Sequence, residues 1–171
     1  FLNLSADHLD YHGDMEAYGL AKSALFTRCL SQGGTAIIDT DDHFGARLAQ
    51  SLRHERADIN LWTLSLSDPS ADVHFSAVHV DQDGIRGRLV TPQGALQIDS
   101  PLLGSFNASN LAMAAALSLA SGLNHDAVVQ ALARAQVRGR LERVEAGTGV
   151  SIVVDYAHSP DAIERVVRTL K

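Results

Sequence analysis

The pattern that most constrains this chain is an alternation of helical and strand-like segments over its first 66 residues. Apolar residues recur at helical spacing over 15–30, directly after Asp14, which predicts a helix with Asp14 as its N-cap. A β-rich run at 35–39 precedes a second helical pattern that reaches about residue 54, and 60–66 has the composition of another strand. This order favours a parallel sheet covered by helices, an α/β fold.

Length and composition narrow the class of protein. The 171 residues, 46 % of them hydrophobic, suffice for one globular domain or slightly more, and the single Cys29 excludes an intramolecular disulfide and any multi-cysteine zinc site. A net charge of −6 argues against a nucleic-acid-binding protein. No apolar run approaches the ~20 residues that span a bilayer, and no signal-peptide pattern opens the chain. We therefore expect a cytoplasmic monomer that binds neither nucleic acid nor membrane.

The pattern changes in the middle of the chain. Three strand-like runs are separated by two tight-turn sequences, Gln82-Asp83-Gly84 and Pro92-Gln93-Gly94. They predict a small antiparallel three-stranded β subdomain at about 72–104, inserted into the α/β body. Two helical patterns follow, at 109–121 and 125–135. A glycine-flanked hinge at 138–140 precedes a strand at 150–155, and a final helix begins at Pro160.

The first candidate site is a loop segment rich in acidic and histidine side chains, residues 7–14. Its two histidines, His8 and His12, and three carboxylates can supply nitrogen and oxygen ligands to Mg²⁺, Mn²⁺ or zinc. A solvated acidic turn that ends in a helix cap explains the same residues. Spacing alone does not separate the two interpretations.

Lys22 is the second candidate, because it is one of only two lysines and lies four residues from both Tyr18 and Phe26. It therefore borders the apolar stripe of its helix. A side chain whose stem packs while its amine reaches water would explain this position. The alternative interpretation is chemical. Burial disfavours the charged form of the amine, and a neutral amine can add carbon dioxide to give a carbamate, which is an anionic bidentate metal ligand.

Three further segments carry polar side chains at positions typical of ligand binding. Asn107 and Asn110 share one helical face and could bind a purine edge or a ribose, although Asn107 could equally be a helix N-cap. Arg140, beside a glycine, could reach a phosphate or belong to an ordinary charged linker. Asp155 ends a predicted strand, where α/β sheets bind ligands, or it caps a loop.

In their order and spacing these segments resemble the Mur ligase family, most closely the members that add the third amino acid of the peptidoglycan stem peptide. The resemblance covers essentially the whole chain, and the family more often has Thr at position 159. It implies a Rossmann-like mononucleotide-binding sheet. The matching stretches are Asn3-Leu4-Ser5, Asp7-His8-Leu9-Asp10-Tyr11-His12-Gly13, Lys22, GSFNASN at 104–110, GRLERV at 139–144 and DYAHSP at 155–160.

The resemblance also implies an activity. It is the ATP-dependent addition of diaminopimelate or lysine to UDP-N-acetylmuramoyl-L-Ala-D-Glu through an acyl phosphate, with Mg²⁺ neutralising the transferring phosphoryl group. Carried over by position, His8 would ligate Mg²⁺ and a carbamylated Lys22 would fix it. The nucleotide would be contacted by Asn107, Asn110, Arg140 and, at the ribose, Asp155, with His158 and Ser159 close by.

The same resemblance divides the chain into the rear part of the central ATP-binding domain, 1–137, and a hinge with the first strand and helix of the C-terminal domain, 138–171. The chain contains no GxxxxGK[ST] phosphate-binding loop, so we expect it alone not to catalyse ligation. Three alternatives stay open: a related ligase such as a cyanophycin synthetase, a metal-dependent hydrolase that uses the His/Asp cluster, and a non-catalytic binding module. Tight zinc or manganese binding without nucleotide would favour the hydrolase.

Overall fold

The computed structural model describes residues 1–5, 9–144, 147, 150, 152–158 and 160–170. The helical elements are α1 (Leu9–His12), α2 (Met15–Ala24), a π-helical segment (Leu25–Cys29), α3 (His43–Glu55), α4 (Ser105–Ala120), α5 (His125–Leu132) and α6 (Pro160–Thr169). The strands are β1 (Thr35–Asp39), β2 (Asn60–Leu64), β3 (His74–Asp81), β4 (Gly84–Thr91), β5 (Gly94–Ser100), β6 (Glu142–Val144) and β7 (Ile152–Val154).

The strands form three small sheets. β1 and β2 pair in parallel, from Thr35 opposite Asn60 to Asp39 opposite Leu64. β3, β4 and β5 form an antiparallel meander, and β6 pairs with β7 in antiparallel orientation. The predicted α/β fold with an added three-stranded antiparallel sheet is confirmed.

Strand β1 separates two hydrophobic clusters, because successive side chains point to opposite faces of a strand. Ala36 and Ile38 pack against α3 and the π-helical segment. Ile37 faces the other way, into a larger cluster formed by α4, α5 and the inner face of the antiparallel sheet. Burial on both faces explains why β1 reads as a continuous apolar run rather than an alternating one.

The start of α3 fixes the geometry at the carboxyl end of β1. Asp42 caps this helix by accepting a 2.9 Å hydrogen bond from Gly45 N–H. A Cβ atom at Gly45 would lie 2.0 Å from the carbonyl oxygen of Asp39, so only glycine permits this approach. The link between β1 and α3 is therefore held tightly at the sheet edge.

The structure corrects several sequence-based boundaries. The predicted helix 15–30 widens into π-helical geometry after Ala24, and the carbonyls of Phe26 and Leu30 accept hydrogen bonds of 2.7 and 2.8 Å from the guanidinium of Arg56. This contact from a distant loop is invisible to helical spacing. The loop predicted at 7–14 contains the short helix α1. In the described ranges no helix combines the length and apolar content needed to cross a membrane.

The prediction that Asn107 could be an N-cap is wrong. Helix α4 begins at Ser105, four residues earlier than its apolar pattern suggests, and Gly104 occupies the N-cap position without a side-chain hydrogen bond. Asn107 thus lies in the first turn of the helix. Sequence analysis also missed β6, whose three residues are too few for a periodic pattern.

Candidate functional site

A cavity of about 450 Å³ lies at the carboxyl end of β1, and we call it the sheet-edge cavity. It is bounded by the first residues of the chain, the end of β1, the first turns of α4, the hinge after α5 and the start of α6. Its lining residues include Asn3, Asp39, Asp41, Asp42, Phe106, Asn110, Arg140 and Asp155. A groove of about 800 Å³ between α2 and α3 is larger, but its lining includes none of the predicted site residues.

Three carboxylates, Asp39, Asp41 and Asp42, form one side of this cavity, which we call the acidic edge. Asp39 is only 5 % exposed and accepts a 2.9 Å hydrogen bond from Asp41 N–H. Burial raises the pKa of Asp39 to about 6, and the neighbouring carboxylates of Asp41 and Asp42 add to the rise. A carboxyl group with a raised pKa in a cavity is typical of a ligand-binding site.

The pKa of Asp41 is shifted in the opposite direction from that of Asp39. Although burial opposes the shift, hydrogen bonds from the hydroxyls of Ser65 (2.6 Å) and Ser67 (2.5 Å) and from Leu66 N–H (2.7 Å) lower the pKa of Asp41. These bonds join the end of β1 to the loop after β2. Asp42 also has a structural role, since it caps α3 and accepts a 3.0 Å bond from Leu4 N–H.

The two predicted asparagines lie one behind the other. Asn107 is 6 % exposed, and its amide donates a 2.7 Å hydrogen bond to the carbonyl of Leu103. Its Oδ1 accepts a 2.9 Å bond from the amide of Asn110. Asn110 is exposed and lines the cavity, and its own Oδ1 takes no part in the hydrogen bond between the two asparagines. Asn107 therefore orients Asn110 from behind.

Arg140 and Asp155 reach the cavity from the hinge side. Asp155 follows β7 and accepts two backbone hydrogen bonds, from Leu141 N–H (2.8 Å) and Ala157 N–H (2.7 Å). Asp155 thus organises the loop, as one of its two explanations predicts, and it also lines the cavity. Arg140 is exposed, and its guanidinium carbon lies 5.3 Å from the ring centroid of Tyr156.

Lys22 is half-buried and close to the cavity. Its amine donates a 2.7 Å hydrogen bond to the carbonyl of Asn3, a lining residue, and lies 5.0 Å and 5.4 Å from the ring centroids of Phe1 and Tyr18. The stem therefore packs along aromatic surface while the amine contacts a polar group. This position agrees with both sequence interpretations of Lys22.

Of the predicted site residues that the structure describes, His158 does not line the cavity. His158 is exposed, its Nδ1 lies 3.0 Å from the carbonyl oxygen of Tyr156, and it stacks edge-on against that ring. His8 lies outside the described residues, as do Asp7 and Ser159. Within the part of the chain that the structure describes, no three His, Cys, Asp or Glu side chains are close enough together to hold a metal ion.

Sequence reasoning missed the acidic edge as part of the site. The signal was present, because Asp39, Asp41 and Asp42 follow a buried strand directly, the same argument that selected Asp155. Asn3 carries no such local signal. Asn3 reaches the cavity because the start of the chain lies beside β1, where the carbonyl of Phe1 accepts a 2.8 Å hydrogen bond from Asp39 N–H.

A parallel pair of strands with a cavity at its carboxyl end and converging amide, carboxylate and guanidinium groups is the arrangement in which α/β domains bind small ligands. Comparison with known proteins identifies the family within this class. Residues 1–118 match the model of the Mur ligase middle domain. The chain belongs to the Mur ligase family, and the resemblance read from its motifs is confirmed.

Among curated relatives, the UDP-N-acetylmuramoyl-L-alanyl-D-glutamate–2,6-diaminopimelate ligase of Ectopseudomonas mendocina is 43 % identical over 176 residues, covering 100 % of this chain and 34 % of the relative. A solved structure of a ligase of the same name superposes with a TM-score of 0.80 at 35 % identity, over 98 % of this chain and 34 % of that one. MurF from Acinetobacter baumannii shares the fold, with a TM-score of 0.82 at 24 % identity over 98 % of this chain and 36 % of its own. The chain thus spans about a third of the length of its relatives.

Proposed function

We propose that this chain is the nucleotide-binding part of an ATP-dependent ligase. The ligase adds diaminopimelate or lysine to UDP-N-acetylmuramoyl-L-Ala-D-Glu during peptidoglycan synthesis. The observation that carries the proposal is the convergence of Asn110, Arg140 and Asp155, which are far apart in sequence, on one cavity at the sheet edge. The names of the relatives support the substrate.

Each converging side chain keeps hydrogen-bonding capacity suited to a nucleotide. Asn110 has its Oδ1 acceptor and one amide proton for a purine edge. Asp155 accepts one backbone N–H on each oxygen and retains lone pairs for ribose hydroxyls. The guanidinium of Arg140 can bind a phosphate in a bidentate manner.

The proposed metal is Mg²⁺, which when bound would neutralise charge on the transferring phosphoryl group. Lys22 and His8 would hold it. An ammonium has no free lone pair, so Lys22 fits this role only as a carbamate, whose oxygens are the hard ligands that Mg²⁺ prefers. The 2.7 Å contact of the Lys22 amine with the carbonyl of Asn3, a lining residue, supports a role for such a carbamate at the sheet-edge cavity.

We also infer that the ligase acts on its small-molecule substrates as a cytoplasmic monomer. The net charge of −6 supports small-molecule over nucleic-acid binding. Gel filtration with light scattering tests the oligomeric state, and a dimer mass would contradict it.

The test uses the full-length ligase that contains this chain. Phosphate release is followed with ATP, Mg²⁺ and UDP-muramoyl-dipeptide, and diaminopimelate or lysine is added in separate runs. The variants are Lys22→Ala and Lys22→Arg; the latter keeps the positive charge but cannot form the carbamate. Asn110→Ala tests the cavity in the same assay.

We expect release that depends on one of the two amino acids, and a loss of at least about 100-fold in both Lys22 variants, in line with removal of a metal ligand. Asn110→Ala should raise the KM for ATP. No release with either amino acid would contradict the proposed substrate. Release that survives in Lys22→Ala would retain the ligase but return Lys22 to a packing role.

A further inference from the structure

The backbone on both sides of Arg140 is held by carboxylates. Gly139 N–H donates a 2.7 Å hydrogen bond to Oε2 of Glu142, and Leu141 N–H donates a 2.8 Å bond to Oδ2 of Asp155. Two backbone bonds complete the frame: Arg140 N–H to the carbonyl of Val137 (3.1 Å), and Tyr156 N–H to the carbonyl of Gly139 (2.8 Å). We call residues 137–142 the Arg140 loop.

This loop has an unusual backbone. Gly139 and Leu141 both have positive φ, 66° and 48°. Among the residues that the structure describes, Leu141 is the only non-glycine residue with a positive φ. A left-handed conformation costs an L-residue about 1–2 kcal/mol. Leu141 is only 3 % exposed, so burial of its side chain offsets this cost. Strained residues of this kind cluster at functional sites.

The side chain between these two residues of positive φ is not buried. Arg140 is exposed and lines the cavity together with Asn110 and the acidic edge. A long flexible cation beside several carboxylates would fold onto them unless its backbone directed it elsewhere. The bonds to Glu142 and Asp155 hold the backbone from which this side chain projects.

From this geometry we propose that Glu142 is a positioning residue: its carboxylate, through Gly139 N–H, sets the direction in which Arg140 enters the cavity to meet the nucleotide. Glu142 itself does not line that cavity. It is half-buried at the first position of β6 and opposite Val154. The proposal rests on the nucleotide-binding function proposed above.

The experiment is a double-mutant cycle in the full-length ligase, with the dissociation constant of MgADP measured by calorimetry. Glu142→Ala removes the acceptor for Gly139 N–H, whereas Glu142→Gln keeps a carbonyl oxygen that can accept the same bond. Both changes are made in the wild-type and the Arg140→Ala backgrounds. Thermal unfolding verifies that each variant is folded. Should Glu142→Ala unfold, Glu142→Asp replaces it, because it moves the carboxylate one methylene away and keeps the charge.

We expect Glu142→Ala to raise the dissociation constant about tenfold, and Glu142→Gln to restore it to within about twofold of wild type. In the Arg140→Ala background, Glu142→Ala should add less than about twofold, because its effect passes through Arg140. The positioning role is wrong, while the proposed function stands, if the Glu142→Ala and Arg140→Ala substitutions raise the dissociation constant of MgADP additively. The same conclusion follows if Glu142→Gln raises it as much as Glu142→Ala does. Failure of the wild-type ligase to bind MgADP would overturn the proposed function and this inference with it.

Discussion

Replacing Asp39 by Asn should stabilise the fold at neutral pH. Asp39 is 5 % exposed, and burial followed by repulsion from Asp41 and Asp42 raises its pKa from 3.8 to about 6. The folded state therefore binds this proton more tightly than the unfolded state does. Asparagine keeps an oxygen that can accept the bond from Asp41 N–H but carries no charge.

The sign and the pH window follow from the direction of that shift. Because the folded pKa is raised, the contribution of Asp39 to stability is most favourable below about pH 4, falls as pH rises to about 6 and is constant above it. Two pKa units correspond to about 3 kcal/mol. Since the cavity is open to solvent, we expect Asp39→Asn to raise the free energy of unfolding by about 1–3 kcal/mol at pH 7, and by almost nothing at pH 4.

Urea denaturation of the 171-residue chain, followed by circular dichroism at several pH values between about 4 and 8, measures this difference. Burial also lowers the pKa of the Phe1 amino group to about 6, and this group interacts electrostatically with Asp39, so the difference is read above pH 7, where the amine is mostly neutral. Asp83→Asn is the matched control, because Asp83 is an exposed carboxylate in the β3–β4 turn and should change stability by less than about 0.5 kcal/mol. Equal stability of Asp39→Asn and wild type at pH 7, or a gain that is the same at pH 4, would refute the reasoning.

Four further substitutions probe the same edge of the sheet. Asn107→Ala leaves the carbonyl of Leu103 without its donor and should cost about 1–3 kcal/mol in urea denaturation; Asn110→Ala keeps that bond, so it should weaken MgADP binding in calorimetry while changing stability much less. Gly45→Ala places a Cβ 2.0 Å from the carbonyl oxygen of Asp39 and should lower stability by about 1–3 kcal/mol in thermal unfolding; no loss would mean that α3 can shift. Asp41→Asn should destabilise at pH 7 but not at strongly acidic pH, because hydrogen bonds lower the pKa of Asp41 and its stabilising effect is lost as pH falls through that value; a pH-independent loss would contradict this.

Periodicity and turn chemistry predicted most of the fold. The parallel pair β1–β2, the cap at Asp14 and the inserted hairpins are local patterns, set by residues within one or two turns of each other. Part of what could not be predicted depends on distant partners. The π-helical segment after Ala24 accepts hydrogen bonds from Arg56, 30 residues from Phe26 in sequence. The early start of α4 is a local feature, but Gly104 has no side-chain cap by which the sequence could reveal it.

The candidate site divides in the same way. Asn110, Arg140 and Asp155 were predicted because each lies in a motif, and the cavity that unites them supports their proposed roles. Asn107 belongs to the same motif, yet its hydrogen bonds turn it toward Leu103 and Asn110 rather than toward the cavity. Sequence spacing identifies residues on one helical face, but burial decides which of them can meet a ligand.

The cavity also concentrates features that reduce stability. Asp39, a buried carboxyl with a raised pKa, lines it, and Leu141, a non-glycine residue in the left-handed conformation, directly follows the lining residue Arg140. Hydrogen bonds hold the residues in place: Asp41 N–H donates to Asp39, and Leu141 N–H donates to Asp155. Selection for stability alone would favour asparagine at position 39, whereas at position 141 glycine would relieve the backbone only by giving up the buried leucine side chain. Their occurrence at one cavity is the pattern expected where binding a ligand, rather than stability, determines the residues.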